Sequence, residues 1–296
     1  MKRKTAAVIL FFSAVLSLGA SKTAWNNLTF SADREIRHFR GQAGVIVEDL
    51  GTGRRFMHQA ERSFPAASIV KIPIMAACFQ AASEGKLNLS EQVTIKTSDK
   101  TSGSGLLKTM PSGSVLTIQQ LIELMISQSD NTATNLLIDR LGLDYLNSYF
   151  EKSGLKGTKM SRKMMDFSQR KYGVENFTTA EDIAFVLKKI YRGELISPQV
   201  SSFCLEYLKR QKLKDRIPAK LPKGIVVAHK TGLERGVCHD AGIVFTGNGN
   251  YLICVLSKSP KTKQGSRPAK KFIANLALNT YRTITGSASS GPSRRG

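Results

Sequence analysis

The chain has 296 residues, 41% hydrophobic and 22% charged, which is enough apolar content to bury a sizeable core and too much for a disordered chain. Its 44 basic and 22 acidic side chains leave a formal charge of +22. The basic residues are scattered, without interleaved aromatics or a nucleic-acid motif, so the sequence argues against nucleic acid as a partner and suits an exported protein beside anionic envelope polymers.

Lys2, Arg3 and Lys4 precede an apolar run from Ala6 to Leu18 and then the small residues Gly19, Ala20 and Ser21. That order predicts a signal peptide over residues 1–21 and export to the periplasm or the medium. The run is about thirteen residues, short of the roughly 20 that a membrane span needs, so no stable span is expected after signal removal. Residues 22–285 are then one folded domain, and residues 286–296, small and polar, a disordered tail.

From Ala43 the stretch AGVIVEDLGTGRRFMHQA alternates apolar and polar residues about Gly51-Thr52-Gly53, as a two-stranded antiparallel hairpin would. A helix opening near Ser68 runs to about Glu84. Pro73 would clash with the Ile69 carbonyl in a regular helix, so this helix must kink or start late. Residues 86–116 are polar and turn-rich, with Thr101-Ser102-Gly103-Ser104-Gly105 the most mobile part.

Thr117 and Gln120 form a capping box ahead of IQQLIELMISQ, and ATNLLIDRLG and Asp144–Lys152 continue as helices. Thr178 and Glu181 repeat the box ahead of DIAFVLKKIY, and a further helix covers Ser201–Gln211. Strands return in GIVVAHKTG, AGIVFTG and YLICVLSKS. The last two meet across Gly247-Asn248-Gly249-Asn250, so positions summing to about 497 should face each other. An amphipathic helix over Lys270–Thr283 closes the domain. The predicted class is α+β: an antiparallel sheet formed by N- and C-terminal strands, flanked by helices, with an inserted all-helical lobe.

Cys78 and Cys254 sit in apolar segments and read as buried thiols. The predicted register puts Cys254 opposite Ile243, which disfavours a bridge to Cys238, and no essential disulfide is expected among Cys78, Cys204, Cys238 and Cys254. His38, His58, His229 and His239 lack metal-ligand spacing, and no metal or other cofactor is expected.

S-x-x-K occurs four times, at Ser68, Ser83, Ser153 and Ser168. Only Ser68-Ile69-Val70-Lys71 is followed, in order, by Ser129-Asp130-Asn131 and Lys230-Thr231-Gly232, each of which occurs once. Lys71 lies one helical turn beyond Ser68 and can reach the same side. A serine hydroxyl attacks only when a base takes its proton, and a lysine is a base only when burial or a like charge pulls its pKa below the ordinary value of about 10.4. Taken singly, Ser68 is also a helix cap, Ser129-Asp130-Asn131 a turn between helices, and Lys230-Thr231-Gly232 a strand end. Those separate readings leave the order and spacing unexplained.

The three motifs resemble the signature of class A serine β-lactamases over roughly residues 40 to 284. The resemblance implies Ser68 as nucleophile and Lys71 as its base, with Lys230 supplying the neighbouring charge. It gives Ser129 the relay of a proton to the departing nitrogen, while Asn131 holds Lys71 and the substrate's side-chain amide. Lys230 and Thr231 would grip the substrate's carboxylate, and Gly232 would admit the ligand to the strand edge. The backbone N–H groups of Ser68 and Leu233 would form the oxyanion hole. Asp130 braces its loop, and the implied partner is a small β-lactam or a peptidoglycan-like peptide, bound by a monomer.

One departure stands out. The E-x-x-L-N motif, whose glutamate activates the hydrolytic water in that family, is missing from SRKMMDFSQRKYGVENFTTAED, where Lys163 to Met165 take its place. Asp166 and Glu175 are the nearest carboxylates, with Asp166 the candidate deacylating base and Glu175 a loop brace. Three activities stay open: a β-lactam hydrolase, which leads, a D-alanyl-D-alanine peptidase of the penicillin-binding type, and an acylated sensor that turns over poorly.

Overall fold

Alternating β-branched residues from the two ends of the chain meet in one sheet in the computed structural model, which describes residues 25–260 and 264–286. The predicted signal peptide, and the tail beyond Gly286, lie outside these residues. In chain order the elements are α1 (25–38), β1 (Gln42–Asp49), β2 (Arg55–His58), β3 (Phe64–Pro65), α2 (Lys71–Ser83), β4 (Gln92–Thr94), β5 (Val115–Thr117), α3 (Ile118–Ser127), α4 (Asn131–Leu141), α5 (Leu143–Lys152), α6 (Phe167–Lys171), β6 (Phe177–Thr178), α7 (Ala180–Arg192), α8 (Pro198–Lys209), β7 (Val226–Glu234), β8 (Val237–Phe245), β9 (Tyr251–Lys258) and α9 (Arg267–Thr285).

The main sheet is antiparallel in the order β2-β1-β9-β8-β7, with the helices from α2 to α8 inserted between its two halves. This is the predicted α+β architecture. Its strands are buried on both faces. Ile46, Ala228, Ala241, Leu252, Cys254 and Leu256 turn towards the helical lobe, while Val45, Val47, Val227, Val244, Ile253 and Val255 pack under α1 and α9. The edge strand β7 is left beside the start of α2.

Several local expectations shift. The second helix cap is Thr179, which accepts from Asp182 N at 3.1 Å, whereas the Thr178 hydroxyl bonds Thr158 at 2.8 Å. β8 begins earlier than predicted, because Arg235 and Gly236 turn the chain tightly out of β7. The β8–β9 register pairs Ala241 with Cys254, not Ile243 with Cys254, so paired positions sum to 495. The Thr246–Asn250 loop sets this offset: Thr246 Oγ1 donates to Gly249 O at 2.6 Å and Asn250 Oδ1 accepts from Thr246 N at 3.1 Å. Helix α1 carries no cue as strong as a capping box, and the sequence reading missed it.

Pro73 creates no kink. A 3₁₀ turn over Ala67–Val70 precedes α2, so the proline falls in the first turn of the α-helix, where its missing N–H costs nothing. All four cysteines are buried and unpaired, with burial raising each thiol pKa. The folded protein should therefore leave its thiols unreacted with an aromatic disulfide reagent and yield four on unfolding without reductant. A smaller yield in unfolded, unreduced protein would reveal a bridge.

Candidate active site

Two backbone positions bracket the site. Ala67, just before Ser68, has φ +44°, and Ser129 has φ +54°, both in the left-handed region that side-chain-bearing residues rarely occupy. Tertiary bonds hold each of them there. Ala66 N donates to Asn176 O at 2.7 Å, and β3 pairs with β6 immediately before the nucleophile turn. Ser129 is fixed through Asp130, which caps α4 by accepting from Ala133 N at 2.9 Å and takes Leu107 N at 2.8 Å. Gly105 must be glycine here, because an added Cβ would lie 2.3 Å from the Asp130 carboxylate.

Lys71 is fully buried and donates to Ser129 O at 2.7 Å, Asn131 Oδ1 at 2.8 Å and Ser129 Oγ at 3.3 Å. Burial, then the Lys230 charge, pulls its pKa well below the lysine range, against an opposing pull from Asp130. In the neutral amine the two protons go to the carbonyl oxygens of Ser129 and Asn131, and the lone pair then faces the third partner, the Ser129 hydroxyl.

Lys230 reaches the same hydroxyl from β7, donating to Ser129 Oγ at 2.9 Å and to Thr231 O at 2.9 Å. Burial lowers its pKa to about 7, while Asp240 holds it up and Arg216 pushes it down. Ser129 Oγ thus lies between two lysine nitrogens. Asn131 is oriented by donating from Nδ2 to Ser102 O at 3.0 Å, and Ser104 Oγ donates to Ser129 O at 2.7 Å.

These residues open on a cavity of about 720 Å³, which Ser68, Ser104, Ser129, Asn131, Thr231 and Leu233 line. A cavity of similar volume, about 690 Å³, lies between α1 and α9, away from the serine and lysine groups. Gly232 lets β7 pass close to the nucleophile turn: a Cβ there would stand 3.2 Å from both Ile69 N and the His239 ring. His239 donates from Nε2 to Pro65 O at 2.8 Å and accepts from Ser257 N at 3.0 Å at Nδ1, so its partners select one neutral tautomer. Its burial, which drops the pKa to about 4, keeps it in that form.

The opposite wall is the 161–176 segment, and it supplies thioethers where a carboxylate was expected. Met164 and Met165 face the cavity, with Met165 at φ +64°. Asn135 clamps this wall to α4, accepting from Met164 N at 2.8 Å and donating to Met164 O at 3.1 Å. Asp166 does not join the cluster. It caps α6, accepting from Ser168 Oγ at 2.5 Å and Gln169 N at 3.2 Å, and both bonds hold its pKa down. Glu175 is turned into ion pairs with Arg162 at 2.6 Å and Arg170 at 3.0 Å.

Two residues escaped the sequence reading. Glu234 is the one carboxylate among the described residues that lines this cavity, raised in pKa chiefly by burial and paired with Arg170 at 2.9 Å. Arg216 is buried behind β7 and gives its Nε proton to Cys238 Sγ at 3.3 Å. Glu234 could have been flagged from its place two residues beyond Gly232, whereas Arg216 sits in a loop without periodicity.

The profile of the beta-lactamase enzyme family matches residues 27–284. The chain is 26% identical to Beta-lactamase SME-1 of Serratia marcescens, covering 95% of this chain and 97% of that protein. It is 23% identical to Beta-lactamase VEB-1 of Pseudomonas aeruginosa, over 95% and 98%. Among solved structures, a beta-lactamase from Sphaerobacter thermophilus superposes with TM-score 0.79 at 30% identity, over 89% of this chain and 99% of that one. A point mutant of PBP-A, solved as an acyl-enzyme complex with penicillin G, gives TM-score 0.78 at 31% identity, over 88% and 97%.

Because Asp130 satisfies two buried backbone N–H groups, Asp130→Ala should lower stability by about 2 kcal/mol or more, read as a fall in the denaturant midpoint. An unchanged midpoint would show that the turn holding Ser129 does not depend on this carboxylate.

Proposed function

The chain belongs to the beta-lactamase enzyme family and is a serine β-lactamase-like hydrolase, and we propose that its reaction runs through an acyl-enzyme on Ser68. The observation that carries this reading is the buried Lys71, deprived of solvent and neighboured by Lys230, one turn from Ser68. Neutral Lys71 takes the Ser68 proton as Oγ attacks the lactam carbonyl. The backbone N–H groups of Ser68 and Leu233 receive the oxyanion. When the C–N bond breaks, Ser129 Oγ–H protonates the leaving nitrogen and is resupplied from the lysine nitrogens beside it. Lys230 and Thr231 bind the carboxylate, Gly232 leaves room for it, and Asn131 holds the side-chain amide.

Release of the acyl group needs an activated water, and here a second reading gains support. The 161–176 wall offers Met164 and Met165 to the cavity, Asp166 does not line it and instead caps α6, and Glu234 is engaged by Arg170. A slow second step, leaving an acyl-enzyme of the kind solved for the PBP-A mutant with penicillin G, fits these positions. A D-alanyl peptide substrate would use the same acylation groups. Export, which the segment from Lys2 to Ser21 supports, would bring the site to such substrates outside the cytoplasm, as a monomer.

Purified protein mixed with a penicillin should gain the mass of one intact penicillin on Ser68, and Ser68→Ala should abolish both this adduct and any lactam loss. Lactam absorbance that falls over many turnovers with little adduct supports the hydrolase, and a stoichiometric persistent adduct supports the slow second step. Asp166→Asn should leave the decay of the adduct within about twofold of the parent, because a general base must come within about 3 Å of its water. Accumulation of adduct in that variant would return Asp166 to the reaction.

A further inference from the structure

Behind β7, on the face that packs under α9, lies a buried charged cluster that the acylation chemistry does not use directly. Asp240 is fully buried on β8, opposite Thr231 in the β7–β8 ladder. Its Oδ1 is 2.8 Å from His229 Nδ1, and its Oδ2 accepts from Ile217 N at 3.0 Å. Gly242 leaves room for the pair, since a Cβ there would lie 2.4 Å from His229 Cβ. One backbone N–H and an imidazole therefore fix this carboxylate in one place.

A buried carboxylate carries a heavy desolvation cost unless cations face it. The fixed cation on this side is Arg216, whose Nη1 stands 3.0 Å from Asp215 Oδ1 without hydrogen-bond alignment. Asp215 is shared with Lys270 of α9 at 2.6 Å. Lys230 projects from the opposite face of β7, where Lys71 on α2, Asp130 before α4 and neutral His239 on β8 surround it. Cys238 on β8 stays a thiol, and α8, which also packs against β7, carries the buried Cys204 and Tyr207. Lys230 thus has the Arg216 cation behind it and a neutral amine before it, with Asp240 as its chief favourable neighbour.

We propose that Asp240, locked by His229 and Ile217 behind Thr231, is a positioning residue whose fixed negative charge keeps Lys230 cationic for the carboxylate of the substrate. This rests on the acylation reading above, in which Lys230 binds that carboxylate. Without Asp240, Arg216 and burial would act on Lys230 unopposed, and the ammonium would lose its proton at lower pH. The sign follows directly: an anion raises the pKa of a neighbouring ammonium, so removing it moves the loss of charge towards acid.

The test compares the second-order rate constant for acylation by a penicillin across pH in the parent and in Asp240→Asn, with the methyl ester of the same penicillin as the uncharged probe. In Asp240→Asn the alkaline fall should come about one pH unit lower, giving about a tenfold slower reaction above neutrality and a near-parental rate well below it. The ester profile should not move. Asp240→Ser removes the same charge and replaces the first variant should that one fail to fold. An alkaline limb that stays in place, or a loss equal at every pH and equal for the ester, would overturn the role and leave Asp240 a packing residue. A parent protein that is never acylated would instead overturn the reading beneath it.

Discussion

One serine hydroxyl held between two buried lysines organises this molecule. Two ammonium groups 3.3 Å and 2.9 Å from Ser129 Oγ, shielded from water, cannot both keep their full charge at modest cost. The arrangement therefore favours a neutral Lys71 beside a cationic Lys230, which is the division of labour that acylation requires. The surrounding fold enforces it. Asp130 caps α4 and fixes the Ser129 backbone in its unfavourable conformation, Asn131 orients Lys71, and the sheet delivers Lys230 on an edge strand whose glycine allows close approach.

The wall facing this apparatus is built with equal care but for another purpose. Arg162, Arg170, Glu175 and Glu234 form a partly buried ion network that ties the 161–176 segment to the end of β7. Asn135 and Asn176 close its backbone onto α4 and onto itself. Glu175 and Glu234 are consumed in holding the wall, and beside the paired Arg170 and Glu234 it turns the apolar side chains of Met164, Met165 and Phe167 to the cavity. On the proposed reading acylation and deacylation would fall to different parts of the chain, and only the first would have a charged, preorganised set of groups.

Much of this was legible in the sequence because it is written in local patterns. Alternation gave the sheet, a capping box gave α3, and the ordered motifs led to the cluster of Ser68, Lys71, Ser129, Asn131 and Lys230. What escaped depends on contacts between distant segments. Asp166 looked like a base because it is near the right position in sequence, yet Ser168 and Gln169, two and three residues on, both bond its Oδ1 and make it the cap of α6. Arg216, Asp240 and His229 meet only when a loop and two strands stack, and no spacing foretells that. The slip of the β8–β9 register came from side-chain bonds inside the loop, which turn composition alone does not reveal.

The charge state of Lys71 is the point on which the account turns, and lysine labelled with ¹³C at Cε reports it directly by NMR titration. The account predicts one lysine signal, lost in Lys71→Arg, that titrates well below the ordinary lysine range of about 10.4. If the signal lost in Lys71→Arg instead titrates in the ordinary range, Lys71 is charged in the resting protein and cannot be the base that activates Ser68.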